Sequence, residues 1–336
     1  MKTLSLIRLG RYSTWIALGV FVVVILLTFQ NLFVNDLSTN PADAGHGWSM
    51  EYNWSTYVAK GIPLYPEEDS FIEGQSLAYM PLYFVVVGNL MRVFGTSAVV
   101  GKLVSTLAAL GTALLIYKVG VKLTGRKLLS MIPGVLFLLY PTLGNDSAQQ
   151  MKIDILGLFF STLSLYLVFN RKYLWAVPFA VLAFFTKQYF IGIPIAVGIY
   201  LLLLKDRGTL LRYVGFYLLL VLVGFGVGQI VTGGTFFTHT ILYLFSAPDF
   251  TIIRASGTLV GFLISIGYLT PVLVIAVYGM WKTRYFGFLG TYLVVSLVIL
   301  VITIGKVGSG INYTFDTLVA SCSLSSLVLK GKGGEY

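Results

Sequence analysis

The sequence predicts an all-α integral membrane protein of about ten transmembrane helices, with a large first extracytoplasmic loop that carries an interfacial helix. Three observations predict it. The 336 residues are 57% hydrophobic and only 11% charged, with a mean hydropathy of +0.86, a balance that soluble domains rarely have. Apolar runs of about 18 residues or more, the length a membrane helix needs, recur from residue 14 towards the C-terminus. Between those runs the basic residues fall in short clusters, as they do in cytoplasmic loops.

The first run, 14–33 (TWIALGVFVVVILLTFQNLF), has the length of a retained anchor and lacks the small-residue cleavage site of a signal peptide. Six basic clusters follow one another along the chain: Lys2/Arg8/Arg11, Lys118/Lys122/Arg126/Lys127, Arg171/Lys172, Lys205/Arg207/Arg212, Lys282/Arg284 and Lys330/Lys332. With all six inside, an even number of crossings must separate each from the next. Pairs of spans fit these intervals at 129–145 with 154–170, 173–187 with 189–204, 213–231 with 257–280, and 286–304 with 314–329. The first interval instead holds three apolar runs, 14–33, 80–95 and 98–117. Of these, 80–95 contains Pro81, Gly88 and Arg92 and has about 16 residues, against the roughly 20 a crossing needs. It is expected to lie along the outer surface, within a first outer loop at 34–97. Both termini are then cytoplasmic, and 98–329 supplies the remaining spans of a single polytopic domain with no separate soluble part.

This topology explains the charge. The net +10 does not signal nucleic acid, because the basic residues are spread through membrane-flanking clusters. Inside lie 16 Lys/Arg and two acids; outside lie seven Lys/Arg and eleven acids. A single cysteine, Cys322, and two histidines, His46 and His239, offer no disulfide, thiolate site or histidine cage. No metal or other cofactor is expected.

The outer side therefore collects the acids. Loop 34–97 carries Asp36, Asp43, Glu51, Glu67, Glu68, Asp69 and Glu73, while isolated cations (Lys102, Lys152, Lys187, Arg254 and Lys306) stand near separate helix ends. Solitary cations at a membrane surface suit a phosphate anion. A nearby carboxylate can act as general base towards an acceptor hydroxyl. Tyr52, Trp54, Tyr57, Tyr65, Tyr79 and Tyr83 offer ring faces to a sugar or a lipid headgroup. Each feature also has a plainer reading: snorkelling lysines, an aromatic belt, a solvated acidic loop, and Glu51 as a helix-start charge. Asp154, inside MKIDILGLFF, resists such a reading, because an acid at the head of a membrane helix needs a partner. Lys152 lies two residues away.

Six segments in order, AKGIPLY (59–65), YMPLYF (79–84), 94–127, MKIDILGLFFSTLSLYL (151–167), FFTKQ (184–188) and GKVGSGINYTFD (305–316), resemble the GT-C superfamily of polytopic glycosyltransferases. The similarity is to the branch of protein mannosyltransferases, aminoarabinose transferases and related transferases of lipid-linked sugars, and it covers nearly the whole chain. It implies a catalytic carboxylate in the first outer loop, a surface helix opening on a Pro-Leu step, and a donor-phosphate contact from the head of the next span, where Lys102 stands. The family's usual Asp or Asp-Glu pair is missing here; the nearest carboxylate is Glu51, with Asp43 and Asp36 upstream. Its Pro-Pro step is reduced to Met80-Pro81, and the chain is shorter than many relatives.

The expected function is transfer of a sugar from a polyprenyl-phosphate donor to an acceptor at the extracytoplasmic face, with inversion. Glu51 or Asp43 would be the base, and Lys102, Arg254 and Lys306 would hold the donor phosphate. Lys152, Asp154, Tyr83, Asn312 and Tyr313 would line the cavity. The alternative is a non-catalytic transporter or flippase of lipid-linked sugars, which would carry its charges near the bilayer midplane.

Overall fold

A computed structural model of the chain describes residues 19, 49–66, 77–139, 151–243, 252–303 and 310–330, and for residues 49, 252–266, 268 and 311 the backbone alone. The described residues are helical, with no strand among them. Two helices, α1 (Ser49–Lys60) and α2 (Leu82–Phe94), precede a bundle of nine: α3 (Ala98–Thr124), α4 (Met131–Leu139), α5 (Ile153–Phe169), α6 (Tyr173–Thr186), α7 (Gly192–Leu203), α8 (Arg207–Val231), α9 (Ile252–Thr283), α10 (Phe288–Thr303) and α11 (Phe315–Ser325). Both α3 and α8 have the length and apolarity to cross a membrane. The expected first span at 14–33 lies outside the described residues apart from Gly19.

Helices α3 and α8 outrun their apolar runs, and capping explains both. The third helix passes residue 117 and continues through Lys118 and Lys122 to Gly125, which takes φ 70° and donates its N–H to Val121 O. At α8, the Asp206 carboxylate accepts from Thr209 N at 3.1 Å, so the helix opens at Arg207 rather than at residue 213. Hydrophobicity marks the stretch suited to lipid; side-chain caps decide where hydrogen bonding starts and stops.

Three turns at one end share a closure. Lys172 N bonds Leu167 O at 2.9 Å, Asp206 N bonds Leu201 O at 3.0 Å, and Tyr285 N bonds Met280 O at 3.0 Å. The residue before each donor, Arg171, Lys205 or Arg284, takes the left-handed φ (59°, 58° and 52°) that glycine usually supplies in this motif. A cation there sits at the negative end of its helix, which offsets part of the backbone cost. These hairpins put the basic residues at one end of the bundle. The starts of α3, α5 and α11 and the end of α6 lie at the other.

Helix α11 runs through the middle, with every residue from Phe315 to Ser325 buried. Its neighbours are α3, α4, α5, α9 and α10. Small side chains allow this density: a Cβ on Gly134 of α4 would stand 2.8 Å from Ala113 O of α3.

The α1–α2 pair is built for close approach. Helix α2 has 13 residues, about 20 Å at the usual rise, so it is shorter than a bilayer's hydrocarbon core. It buries Tyr83, Phe84, Val87, Gly88 and Met91 and leaves Val93 and Phe94 exposed. A Cβ on Gly88 would meet Val58 Cβ at 2.5 Å and Ser55 O at 2.7 Å. Arg92 then folds back over α1, donating to Val58 O at 2.5 Å and Ala59 O at 3.2 Å. Both carbonyls belong to the last turn of α1, where Val58 O also accepts from Gly61 N at 3.1 Å, so the guanidinium adds to the capping of that helix.

Gly88→Val is therefore expected to force α1 and α2 apart at a cost of about 1–3 kcal/mol. A lowered unfolding midpoint in detergent would reveal it; an unchanged midpoint would mean the two helices do not need this contact.

Candidate active site

The heads of α5 and α11 and the tail of α6 converge on one ion pair. Lys187 Nζ lies 2.6 Å from Asp154 Oδ1, and Asn312 Nδ2 donates to the same oxygen at 2.9 Å. The ammonium also faces the rings of Tyr79 and Tyr313, 5.4 and 5.3 Å from their centroids. Asp154 is the second residue of α5, and Lys187 caps the C-terminus of α6, so each charge complements its own helix dipole. The next residue extends the junction: Gln188 Nε2 donates to Ala78 O at 2.8 Å and to Thr240 O at 2.9 Å. Tyr65 OH donates to Tyr79 O at 2.7 Å, which ties loop 61–66 to the ring over Lys187.

Glu51 stands beside this pair. It is in the first turn of α1, only 3% exposed, with Oε1 3.9 Å from Lys152 Nζ. Burial pushes its carboxyl up to about 7, with Lys152 pulling the other way. Its second oxygen, Oε2, is buried and has no hydrogen-bond partner among the described residues. Lys152 is held through its backbone. Its N–H donates to Ser105 Oγ at 3.1 Å, and that hydroxyl lies 3.3 Å from Lys152 O. Tyr83 OH is 3.5 Å from the same Ser105 oxygen. One turn earlier on α3 is Lys102, buried at the same end of the bundle.

The structure thus brings Glu51, Lys152, Asp154, Asn312, Tyr313 and Tyr83 together, with Lys102 nearby. Two expectations change. Asp154 pairs with Lys187, not with Lys152, because residues two apart do not share a helix face and Lys152 sits in extended backbone just before α5. Lys187 is not a solitary cation; it is engaged by a carboxylate and two rings. Asp43, Asp36 and Lys306 lie outside the described residues, as does the side chain of Arg254, whose backbone belongs to α9.

Sequence reasoning placed Lys187 only among the solitary cations and Tyr79 only among the ring faces, and it gave no part in the site to Gln188 or Ser105. The signal was present for Lys187, since FFTKQ closes one apolar run with a cation and MKID opens another with an acid. Asp316, four residues past Asn312, is also fully buried. Ser161 Oγ donates to its Oδ1 at 3.4 Å, and a Cβ on Gly192 would stand 3.3 Å from its other oxygen. Among the described residues no group of three or more His, Cys, Asp or Glu could hold a metal ion.

Beside the site lies an open groove of about 860 Å³, walled by loop 61–66, the start of α2 and the C-terminal parts of α6 and α8. Its lining is mainly apolar, with Ile62, Leu64, Val85, Phe185, Val227 and Phe236 among its walls. Tyr65 faces both the groove and, through its hydroxyl, Tyr79.

Two crystal structures of ArnT from Cupriavidus metallidurans, one apo and one bound to undecaprenyl phosphate, superpose on this architecture. Their TM-scores are 0.69 and 0.68, over 95% and 94% of this chain at 14% and 15% identity. The chain shares the ArnT fold. That is a membrane fold, and the chain spans 60% of the length of either ArnT structure. An uncharacterized protein of Aquifex aeolicus is 35% identical over 137 residues, 40% of this chain and 31% of its own length. No family model matches the chain.

Within this fold, Lys187→Met strands Asp154 in the interior without its cation and is expected to cost about 3–5 kcal/mol. Replacing both, Asp154→Leu with Lys187→Met, is expected to recover most of that stability. Unfolding in detergent decides it, and equal losses for the single and double variants would deny the pair its structural role.

Proposed function

We propose that the chain is a glycosyltransferase that moves a sugar from a polyprenyl-phosphate donor to an acceptor at the extracytoplasmic face of the membrane. The observation that carries this reading is a buried Glu51 carboxyl near pH 7, set beside Lys152 at the same bundle end as Lys102 and the apolar groove. In this reading loop 34–97, with α1 and the interfacial α2, forms the outer cover. The fold likeness to ArnT supports a transferase of this general kind, and the ArnT complex with undecaprenyl phosphate supports the lipid-phosphate donor.

The chemistry follows from the groups. Glu51 takes the proton of the acceptor hydroxyl as its oxygen bonds to the anomeric carbon. The bond from that carbon to the phosphate oxygen breaks on the opposite face, so the configuration inverts. The electron pair leaves with the polyprenyl phosphate. Lys102 meets the charge that grows on this phosphate, with Arg254 and Lys306 as further cations, the point at which fixed charges lower a barrier most. Asp43 is the second candidate base. Lys152 keeps Glu51 ionised within the working range, while Asp154, Asn312, Tyr313 and Tyr83 shape the walls. The apolar groove receives the isoprenoid chain from the side. Cations handle the leaving group, so no metal is required, and activity is expected to survive exhaustive chelation.

A transporter or flippase would line a path with charges through the membrane. Four of the site's charged groups instead form one cluster at a single bundle end, which favours the enzyme.

Glu51→Gln is expected to lower sugar transfer by about 10²–10⁴-fold, and Lys102→Ala to lower it strongly, in membranes supplied with labelled polyprenyl-phosphate sugars. Retention of most activity by both variants would refute the assigned roles. For the intact protein, kcat/KM is expected to rise with pH through about 7, because the base works only when ionised and burial has raised its pKa to about that value. Lys152→Met removes a neighbour that favours the carboxylate, so this limb is expected to move to higher pH. A limb that stays in place would sever Lys152 from Glu51.

A further inference from the structure

The end of the bundle opposite the candidate site carries a second arrangement. On α3, Lys118 and Lys122 are one turn apart and exposed, each with its ammonium near a ring of α5. Lys118 Nζ lies 5.9 Å from the centroid of the Tyr166 ring of α5, and Lys122 Nζ lies 5.9 Å from that of Phe169. Lys122 also donates to Asn170 Oδ1, at the tail of α5. Arg171, in its left-handed conformation, and Lys172 follow directly and are exposed. The only carboxylate at this end among the described residues, Asp206, is used in capping Thr209 N. Both lysines are exposed, and their ammonium groups stand over the α3–α5 crevice, where they can meet an anion at the surface.

The surface above the crevice is apolar. Leu107 and Leu114, seven residues apart on α3, are 61% and 50% exposed, and Lys118 stands one turn further on the same helix face. Trp175, 74% exposed near the start of α6, adds the kind of indole that anchors at a bilayer interface. An apolar stripe that runs into a pair of cations at the membrane border has the two-part shape of a lipid: chains, then a phosphate.

We propose that the crevice between α3 and α5 at this end binds an anionic glycerophospholipid, with its phosphodiester against Lys118 and Lys122 and its acyl chains along Leu107 and Leu114. Arg171 and Lys172 lie beside the headgroup and widen the positive field. This site is separate from the groove and ion pairs described above, and it does not depend on the proposed activity. Basic crevices between membrane helices favour such headgroups, at about fivefold in affinity per lysine or arginine near the surface.

Native mass spectrometry of the purified full chain, titrated with phosphatidylglycerol and separately with phosphatidylcholine, tests the proposal. The protein is expected to hold phosphatidylglycerol in preference, and K118Q/K122Q is expected to weaken that binding by about 25-fold while leaving phosphatidylcholine binding unchanged. The control K282Q/R284Q removes as much charge from another turn at the same end and is expected to change little. Equal losses in the two double variants would mean diffuse charge attraction, and no loss in K118Q/K122Q would mean no site; either overturns the proposal. If K118Q/K122Q fails to fold, N170S keeps every charge and removes the anchor of Lys122. Weaker phosphatidylglycerol binding by N170S supports the crevice, and unchanged binding rejects it.

Discussion

A charge inside a membrane bundle must find its opposite before the fold can close around it. The Asp154–Lys187 pair obeys that constraint, and the rest of the candidate site depends on it. Each ion alone would cost several kcal/mol to desolvate, and even a well-made pair recovers that cost only with good geometry and further hydrogen bonds. Asn312, Tyr79 and Tyr313 supply those contacts. The pair therefore joins the heads of α5 and α11 to the tail of α6 and fixes the level at which other polar groups can collect. Gln188 and Tyr65 carry the junction outward to loop 61–66, so the apolar groove is bounded by backbone tied to the same ion pair.

Glu51 shows the complementary strategy. Its nearest cation is 3.9 Å away, one oxygen has no partner among the described residues, and burial raises its pKa. Satisfied carboxylates are poor bases; one left under-solvated holds a proton at neutral pH and exchanges it readily. Two carboxyls a short distance apart thus differ in kind because their surroundings differ: Asp154 is held by an ammonium and an amide on one oxygen, while Glu51 has a buried oxygen with no partner among the described residues. The two ends of the bundle differ in the same way. One buries a few paired charges; the other presents many cations at the rim, three of them serving as left-handed helix stops.

Much of this was legible in the residues. Composition and the spacing of basic clusters pointed to a polytopic helical membrane protein, and among the described residues Glu51, Asp154, Asp316, Lys102, Lys152 and Lys187 fell at one end. Glu51, Lys152, Asp154, Asn312 and Tyr313 were all visible as polar residues next to apolar runs, because a charge beside lipid is too costly to be incidental. Their pairing was not visible. Lys152 is near Asp154 in sequence, yet it faces Glu51, about a hundred positions upstream. Lys187 meets Asp154 across 33 residues. Ser105, which holds Lys152 in position, is one hydroxyl among several on α3 and carries no signal of its own.

Hydrophobic periodicity and charge asymmetry are one-dimensional quantities set by transfer between water and lipid, so the sequence by itself determined which segments are helical and apolar and which polar residues needed explaining. Helix ends came from caps such as Asp206 and Gly125, legible only in part. Tertiary structure alone decided which cation neutralises which acid, how far Glu51 is stripped of water, and where an apolar groove opens beside it. Those outcomes depend on distances between segments remote in the chain, and electrostatic energy in a low-dielectric interior is steep in distance.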